Sequence, residues 1–153
     1  MLRAACLALG LAAGSAGAQT LAGDPVQSVL SPHPVAQTME RLQAAVTEAG
    51  ATVFARVDHG AGAASVGMEL RDAELLLFGN PRLGTPILQQ DIRAGLILPM
   101  RVLVHATPGG GAAIVWEAPA QMLSGLDVEM DDGAAERLAE AVDGFIRAAA
   151  RPD

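Results

Sequence analysis

The fold follows from one stretch of the chain, LILPMRVLVHATPGGGAAIVWE (residues 96–117). Two apolar runs flank residues 107–111, whose proline and three glycines are typical of a tight turn. Because a connection this short joins antiparallel neighbours, we predict a hairpin of two strands, 96–106 and 112–117. Both faces of the first run are apolar, which indicates a strand that is central in the sheet or covered by an interface.

Two long helices are predicted, one on each side of these strands in the sequence. Apolar residues spaced by three and four mark one helical face, followed by Gly50 as a typical helix end: Val35, Met39, Leu42, Val46 and Ala49. The last helix is predicted to start at Asp131 or Asp132, with the apolar face Leu138, Ala141, Val142, Phe145 and Ala149. Each helix therefore has one face suited to packing on a sheet.

The remaining elements complete an α+β order. Four more strands are predicted at 26–30, 51–57, 66–70 and 75–78, with a turn after the second at residues 58–62. A short helix is predicted from Thr85 to Arg93, with Thr85 as the N-cap and Pro86 at its first position. The order β-α-β-β-β-short α-β-β-α predicts one mainly antiparallel sheet with two long helices on one face, forming a single domain over residues 26–150. The other face is then solvated or paired with a partner, and we predict a homodimer.

Composition excludes several classes of function. The chain has 153 residues, which fits one domain, and 10 basic against 17 acidic residues give a net charge of −7. This acidic balance argues against nucleic-acid binding and against adhesion to anionic membranes. All the basic residues are arginine and tyrosine is absent, so neither a lysine Schiff base nor a phenolic acid is available. Any chemistry must come from histidine, carboxylates, hydroxyls or backbone dipoles.

The first 18 residues have the pattern of a secretory signal peptide. Arg3 precedes an apolar run over residues 4–13, and Ala16–Ala18 supplies the small residues of a cleavage site. The run is too short to span a membrane. Cleavage after Ala18 removes Cys6, which leaves no disulfide or thiolate metal site, and residues 19–25 form a flexible lead-in. We therefore predict a periplasmic or secreted protein with no membrane span.

The loop at residues 79–86 is the best candidate for a ligand site. Asn80 offers amide donors and an acceptor, Gly84 permits close approach of the backbone, and Thr85 leads a predicted helix whose free N–H groups favour an anion. These features predict binding of a small polar or anionic ligand. The alternative is local loop architecture, in which the same polar groups only satisfy the backbone.

His59 is the candidate for a general base, because a neutral imidazole titrates near neutral pH. It follows a strand in a predicted glycine-rich turn, and Glu117 is a carboxylate that could join it. His33, His59 and His105 are the only imidazoles, and no two have helical ligand spacing, so we predict no metal site and no cofactor. The alternative for His59 is an exposed or capping loop residue.

Three blocks resemble the family called domain of unknown function 302. They are LLLFGNPRLGTPILQ (residues 75–89), TVFARVDHGAGAA (52–64) and GLILP (95–99). The resemblance implies a small domain with an antiparallel sheet, similar to the fold of the TATA-binding protein, often dimeric and with no established reaction.

The sequence thus predicts an exported, non-enzymatic, dimeric module for a small ligand or an envelope partner. The alternatives are an enzyme using His59 with the 79–86 loop and a purely structural interaction module. The candidate ligand-binding residues are His59, Asn80, Gly84, Thr85, Gln89 and Glu117.

Overall fold

Five strands form a single sheet in which every neighbouring pair is antiparallel. The structure, a computed structural model, describes residues 26–129 and 133–153. Its strands are β1 (Val26–Ser31), β2 (Thr52–Asp58), β3 (Ala73–Gly79), β4 (Met100–Ala106) and β5 (Ala112–Glu117). Their spatial order is β1-β5-β4-β3-β2, so β4 is central. The α+β class, the antiparallel sheet and the hairpin of β4 and β5 are confirmed.

Two long helices cover one face of this sheet, as predicted. The helices are α1 (Val35–Glu48), α2 (His59–Ser65), α3 (Pro81–Gln90), α4 (Pro119–Met122) and α5 (Ala134–Ala150), with a 3-10 helix at Ile92–Leu96. α1 and α5 pack on each other and on the sheet. No helix in the described part of the chain has the length and apolar character needed to cross a membrane. The predicted signal peptide, the lead-in and the proposed helix start at Asp131 or Asp132 lie outside the described residues.

The core lies between this helical pair and alternate residues of the strands. Four of the five residues predicted for the apolar face of α1 are buried, Val35, Met39, Leu42 and Val46. Ala49 is exposed because the helix ends at Glu48, and Gly50 follows with a positive φ of 76°. The strands contribute every second side chain to the same cluster: Leu76, Phe78, Met100, Val102, Val104, Ala112, Ile114 and Trp116. From α5, Val142, Ile146 and Ala149 are buried, and Phe145 packs against the cluster. The apolar side chains of the two helices and of the strands thus pack together in one layer between the helices and the sheet.

The predicted strand at 66–70 is wrong. Val66, Met68 and Leu70 alternate as strand residues do, but they are exposed on an irregular connection. β3 is already paired on both sides, with β2 and β4, so this segment cannot pair beside it. Gly67 also adopts a φ of 74°, which is outside the extended region. The segment before it, predicted as a turn, is helix α2, and the Asp58 carboxylate caps it by accepting the Ala61 N–H at 2.8 Å.

The structure also moves the predicted starts of two elements. The short helix starts at Pro81 and not at Thr85–Pro86, because the Asn80 side chain accepts the Arg82 N–H at 2.9 Å and Pro81 suits the first position. Pro86 then falls inside the helix. Residues 92–96 form a 3-10 helix, so β4 starts at Met100 and not at Leu96.

The face of the sheet opposite the helices, which we call the open face, is largely apolar. Cross-strand partners show which side chains share it: Val57, Leu75, Leu103, Val115 and Ser28 form its central row. A neighbouring row contains Arg101 and Glu117, an ion pair at 3.9 Å. Leu30 near one edge is 65% exposed. The two long helices, α1 and α5, pack on the other face.

Candidate functional site

A pocket of about 680 Å³ lies where α3 meets the end of the sheet, and we call it the α3 pocket. Its walls come from α3, the end of β3, the residues just before β4 and one side of α5. The lining includes Leu77, Gly79, Leu83, Leu88, Leu98 and Leu138. Its volume is in the range of small-molecule sites, and none of the described residues that line it is charged. The site is therefore an apolar cavity with few polar groups.

The N-cap and the middle of α3 supply the polar side chains of this pocket. Asn80 and Thr85 both line it, and theirs are the polar side chains in its wall. The carbonyl oxygen of the Asn80 amide accepts the Arg82 N–H, so the amide nitrogen is the part left to donate to a ligand. Thr85 stands in the middle of α3 and not at its N-terminus. The predicted anion site on free N–H groups at Thr85 is therefore wrong, because those N–H groups belong to an established helix.

Glycines keep the pocket open. A Cβ built at Gly84 would lie 3.9 Å from Leu98 Cδ1, which is ordinary contact distance across the cavity. One at Gly95 would lie 3.5 Å from Leu88 Cδ2. Larger side chains at these positions would occupy the space between α3 and the 3-10 helix. The glycines thus contribute volume to the site.

A set of hydrogen bonds to the Asp91 carboxylate, which we call the carboxylate clasp, fixes the outer wall of the α3 pocket. Asp91, only 7% exposed, accepts the backbone N–H of Arg93 at 2.9 Å and that of Asp127 at 3.1 Å, and Arg93 Nη2 donates to it at 2.6 Å. The hydrogen bonds from the Arg93 side chain hold the pKa of Asp91 well below its usual range. Gln90 Oε1 accepts the Glu129 N–H at 2.7 Å. The end of α3 is thereby tied to the segment that follows α4.

Behind this clasp lies a second apolar cluster. Ile87, Ala94 and Leu123 are its buried members, and Leu88 and Leu98 pack against them. The last two also line the α3 pocket, so the cluster supports the wall of the site. The wall of the α3 pocket is therefore supported by a small apolar cluster separate from the main core.

A second cavity, of about 880 Å³, adjoins the open face. Met68, Glu69, Arg71 and His105 are among its lining residues, and Ala73 and His105 are cross-strand partners on that face. His105 Nδ1 lies 3.2 Å from the Ala106 carbonyl oxygen. The lining is mixed in charge, and the irregular 66–70 segment forms one of its sides. This cavity therefore belongs to the same surface as the open face.

The structure brings three of the six predicted site residues together. Asn80, Gly84 and Thr85 line the α3 pocket. Gln89 is exposed on α3, outside the lining, and Glu117 pairs with Arg101 on the open face. Because the pocket wall is apolar and extends well beyond the loop, most of its residues were missed by sequence reasoning.

His59 is not placed where the enzyme hypothesis needs it. It is the first residue of α2, after Asp58, which pairs with Glu74, whereas Thr52 at the other end of β2 pairs with Gly79. Glu74 and Gly79 are five residues apart in β3, which is about 16 Å along a strand. His59 is exposed and contributes to the lining of neither cavity. The structure separates the predicted base from the predicted loop.

The other histidines give no metal centre among the described residues. No group of three or more His, Cys, Asp or Glu in that part of the chain is arranged to hold a metal ion. His33 is buried, and its Nε2 lies 2.9 Å from the Arg151 carbonyl oxygen and 2.5 Å from Arg41 Nη1. It links the start of α1 to the C-terminal residues and so has a structural role.

Comparisons with known proteins agree with this fold. A crystal structure described as an uncharacterized conserved protein DUF302 from Bacillus stearothermophilus superposes with a TM-score of 0.70 at 18% identity, covering 83% of this chain and 98% of that one. At that identity the likeness shows the fold alone.

Curated proteins share a shorter stretch. Fluoride-specific ion channel FluC 1 of Brucella suis biovar 1 is 43% identical over 93 residues, which is 61% of this chain and 37% of the channel. The protein of the same name from Brucella abortus biovar 1 has the same identity over 34% of its length. This chain thus spans little more than a third of the curated relatives it matches.

The family model covers nearly all of the described elements. The model of the family described as domain of unknown function DUF302 matches residues 27–149, which run from β1 to the end of α5. The resemblance predicted from the sequence blocks is confirmed. The chain belongs to the DUF302 family.

Proposed function

We propose that this protein is an exported, homodimeric binding module that holds a small molecule in the α3 pocket without transforming it. The observation that carries the proposal is the pocket itself, a cavity of about 680 Å³ with an uncharged wall and two polar side chains on one side. A site of this kind holds its ligand by apolar burial and orients it by one or two hydrogen bonds. Among the described residues of its wall, no nucleophile lies beside a base that could activate it.

The lining decides which ligands fit. An anionic ligand needs a cation or a set of free N–H groups, and the α3 pocket has neither in its described wall. An apolar body gains free energy in proportion to the area it buries there. We therefore revise the expectation of a small polar or anionic ligand to a ligand with an apolar body and one hydrogen-bonding group.

A reporter dye tests this directly. N-phenyl-1-naphthylamine is neutral and becomes fluorescent in apolar sites, so its emission should rise to saturation when the mature protein is added. Gly84→Leu fills the space opposite Leu98 and should weaken dye binding at least tenfold. The matched control Gly84→Ala adds only a methyl group at ordinary contact distance and should bind like the wild type.

Folding is checked in the same variants. Leucine and alanine both favour a helix more than glycine does, so neither variant should unfold at a lower temperature than the wild type. A wild-type protein that gives no saturable emission contradicts the proposal. Equal binding by the Gly84→Leu variant would instead place the dye elsewhere, for example on the open face.

The open face supports the homodimer. Its central row has Leu103 on the central strand, with Leu75 and Val115 on either side. An apolar surface of this shape can pair with itself about a two-fold axis, which is the commonest symmetry of soluble oligomers. Light scattering of the mature protein at micromolar concentration should give twice the mass of the chain, and a monomer mass contradicts this part of the proposal.

Export rests on the first 18 residues. Mass spectrometry of the protein from fractionated host cells should find Gln19 as the first residue in the envelope or the medium. An intact Met1 on the accumulated protein would contradict export.

A second candidate function is suggested by the fluoride channels. Their matched part is a minority of each channel, so a DUF302-like region occurs there beside a larger remainder. In this candidate, the chain is an accessory domain that acts with a fluoride channel of the same cell. Deletion of the gene should then lower tolerance to sodium fluoride, and restoring the gene should recover it. Unchanged tolerance contradicts this candidate and leaves the ligand pocket untouched.

A further inference from the structure

The aromatic residues of this chain are concentrated at the α3 pocket. The sequence holds three phenylalanines, one tryptophan and no tyrosine. All three phenylalanines, Phe54, Phe78 and Phe145, line the α3 pocket. Phe78 also belongs to the main core, in which Trp116 lies. The three come from different elements, β2, β3 and α5, so only the folded chain brings them to one site.

Phe54 reaches the pocket through a β-bulge. Val53 pairs with Phe78 and Ala55 pairs with Leu77, so Phe54 is the extra residue of β2. Its ring extends toward the end of β3, where Cε2 would lie 3.6 Å from a Cβ at Gly79. The side chain remains 56% exposed, so main-core burial does not account for its position. A bulge that aims a large apolar ring at a cavity indicates a contact with a ligand.

The other two rings are held in a fixed orientation. Phe78 and Phe145 have centroids 5.9 Å apart and planes at 77°, an edge-to-face pair. Phe78 is buried and Phe145 is half-buried beside the pocket. Rings that are already locked by one another form a rigid wall, and a rigid wall selects ligands by shape.

From these contacts we propose that the α3 pocket takes a neutral, planar aromatic molecule that carries a hydrogen-bond acceptor on its edge. Phe54 and Phe145 offer ring surface for stacking and edge contacts, while Phe78, only 2% exposed, supports them from the core. The uncharged lining disfavours an ionised ligand. The Asn80 amide nitrogen donates to the acceptor, because the oxygen of that amide is engaged in the helix cap. This inference rests on the proposed binding function and specifies its ligand class.

A matched pair of competitors tests the class. 2-Naphthol and decahydro-2-naphthol share one skeleton and one hydroxyl, but only the first is planar and aromatic. In displacement of N-phenyl-1-naphthylamine, 2-naphthol should compete on the order of tenfold more strongly, since aromatic contacts add to area burial. Equal or weaker competition by 2-naphthol overturns the aromatic class, while saturable dye binding that is sensitive to Gly84→Leu would still support the pocket.

Two variants test which residues produce the preference for an aromatic ligand with a hydrogen-bond acceptor. Phe54→Leu keeps an apolar side chain at an exposed position and should lose most of the preference for 2-naphthol while still binding the saturated compound. Asn80→Asp keeps a good N-cap but replaces the amide donor with a carboxylate, so competition by 1,4-naphthoquinone, which carries only acceptors, should weaken several-fold. Unchanged preference in Phe54→Leu, or unchanged quinone competition in Asn80→Asp, overturns the part assigned to that residue.

Discussion

The two faces of the sheet use the same residue type in opposite ways. In β3, Leu76 has 0% of its surface exposed and packs under α1 and α5. Its neighbours Leu75 and Leu77 point to the other side and are half-buried. The covered face therefore stabilises one chain by itself, whereas the apolar side chains of the open face are only half-buried in a single chain.

The largest expected change in the free energy of unfolding comes from a substitution on the covered face. Leu76→Ala removes a fully buried side chain from the main core and should lower the free energy of unfolding by about 2–5 kcal/mol. Leu75→Ala, the same substitution one residue earlier, should cost much less because its side chain lies on the open face. Urea unfolding followed by Trp116 fluorescence measures both.

Concentration separates the roles of the two leucines. If the open face pairs with a second copy, the small cost of Leu75→Ala should grow as protein concentration rises, because the dimer then contributes to stability. The cost of Leu76→Ala should not depend on concentration in this way. Equal costs for the two variants at low concentration would refute the contrast between the faces.

The next effect concerns the open face alone. Leu103→Glu places a carboxylate at the centre of the apolar row, and in a symmetric dimer two such charges come close together. The dimer dissociation constant should rise on the order of a hundredfold, while circular dichroism stays that of the folded protein. Gln37→Glu adds the same charge on the exposed side of α1 and serves as the control in light scattering. If Leu103→Glu leaves the mass unchanged, the dimer does not use this face.

Sequence reasoning found the parts of the fold that local patterns determine. The stripe of α1 and the hairpin of β4 and β5 were predicted because periodicity and turn composition are local signals. The 66–70 strand was predicted from the same kind of signal and was wrong, since a strand also needs a free neighbour in the sheet. Strand pairing is decided by the whole chain, and no local window contains it.

In the α3 pocket too, local sequence patterns predicted some residues, whereas others depend on the fold of the whole chain. Asn80, Gly84 and Thr85 were found because polar and glycine residues cluster in one loop. The apolar wall was missed, because Phe54 or Phe145 in a sequence looks like any core residue. The one-residue bulge that turns Phe54 toward the pocket has no signal in residue type, and the approach of α5 to α3 joins positions far apart in the sequence.

The smallest expected effects come from breaking the ion pairs, one on each face of the sheet. Arg56 and Glu74 pair on the helix side, where Glu74 is 14% exposed, and this hydrogen bond raises the pKa of Arg56. Arg101 and Glu117 pair at 3.9 Å on the open face, where Glu117 is 38% exposed. In the Leu103→Glu background, in which the proposed dimer should not form at micromolar concentration, Glu117→Gln should cost about 0.2–1 kcal/mol in urea unfolding and lose that effect in 1 M NaCl. Glu74→Gln should cost more and keep most of its effect in salt, since its carboxylate is better shielded from water. Equal costs and equal salt sensitivity would show that the covered face does not protect its polar contacts better than the open one.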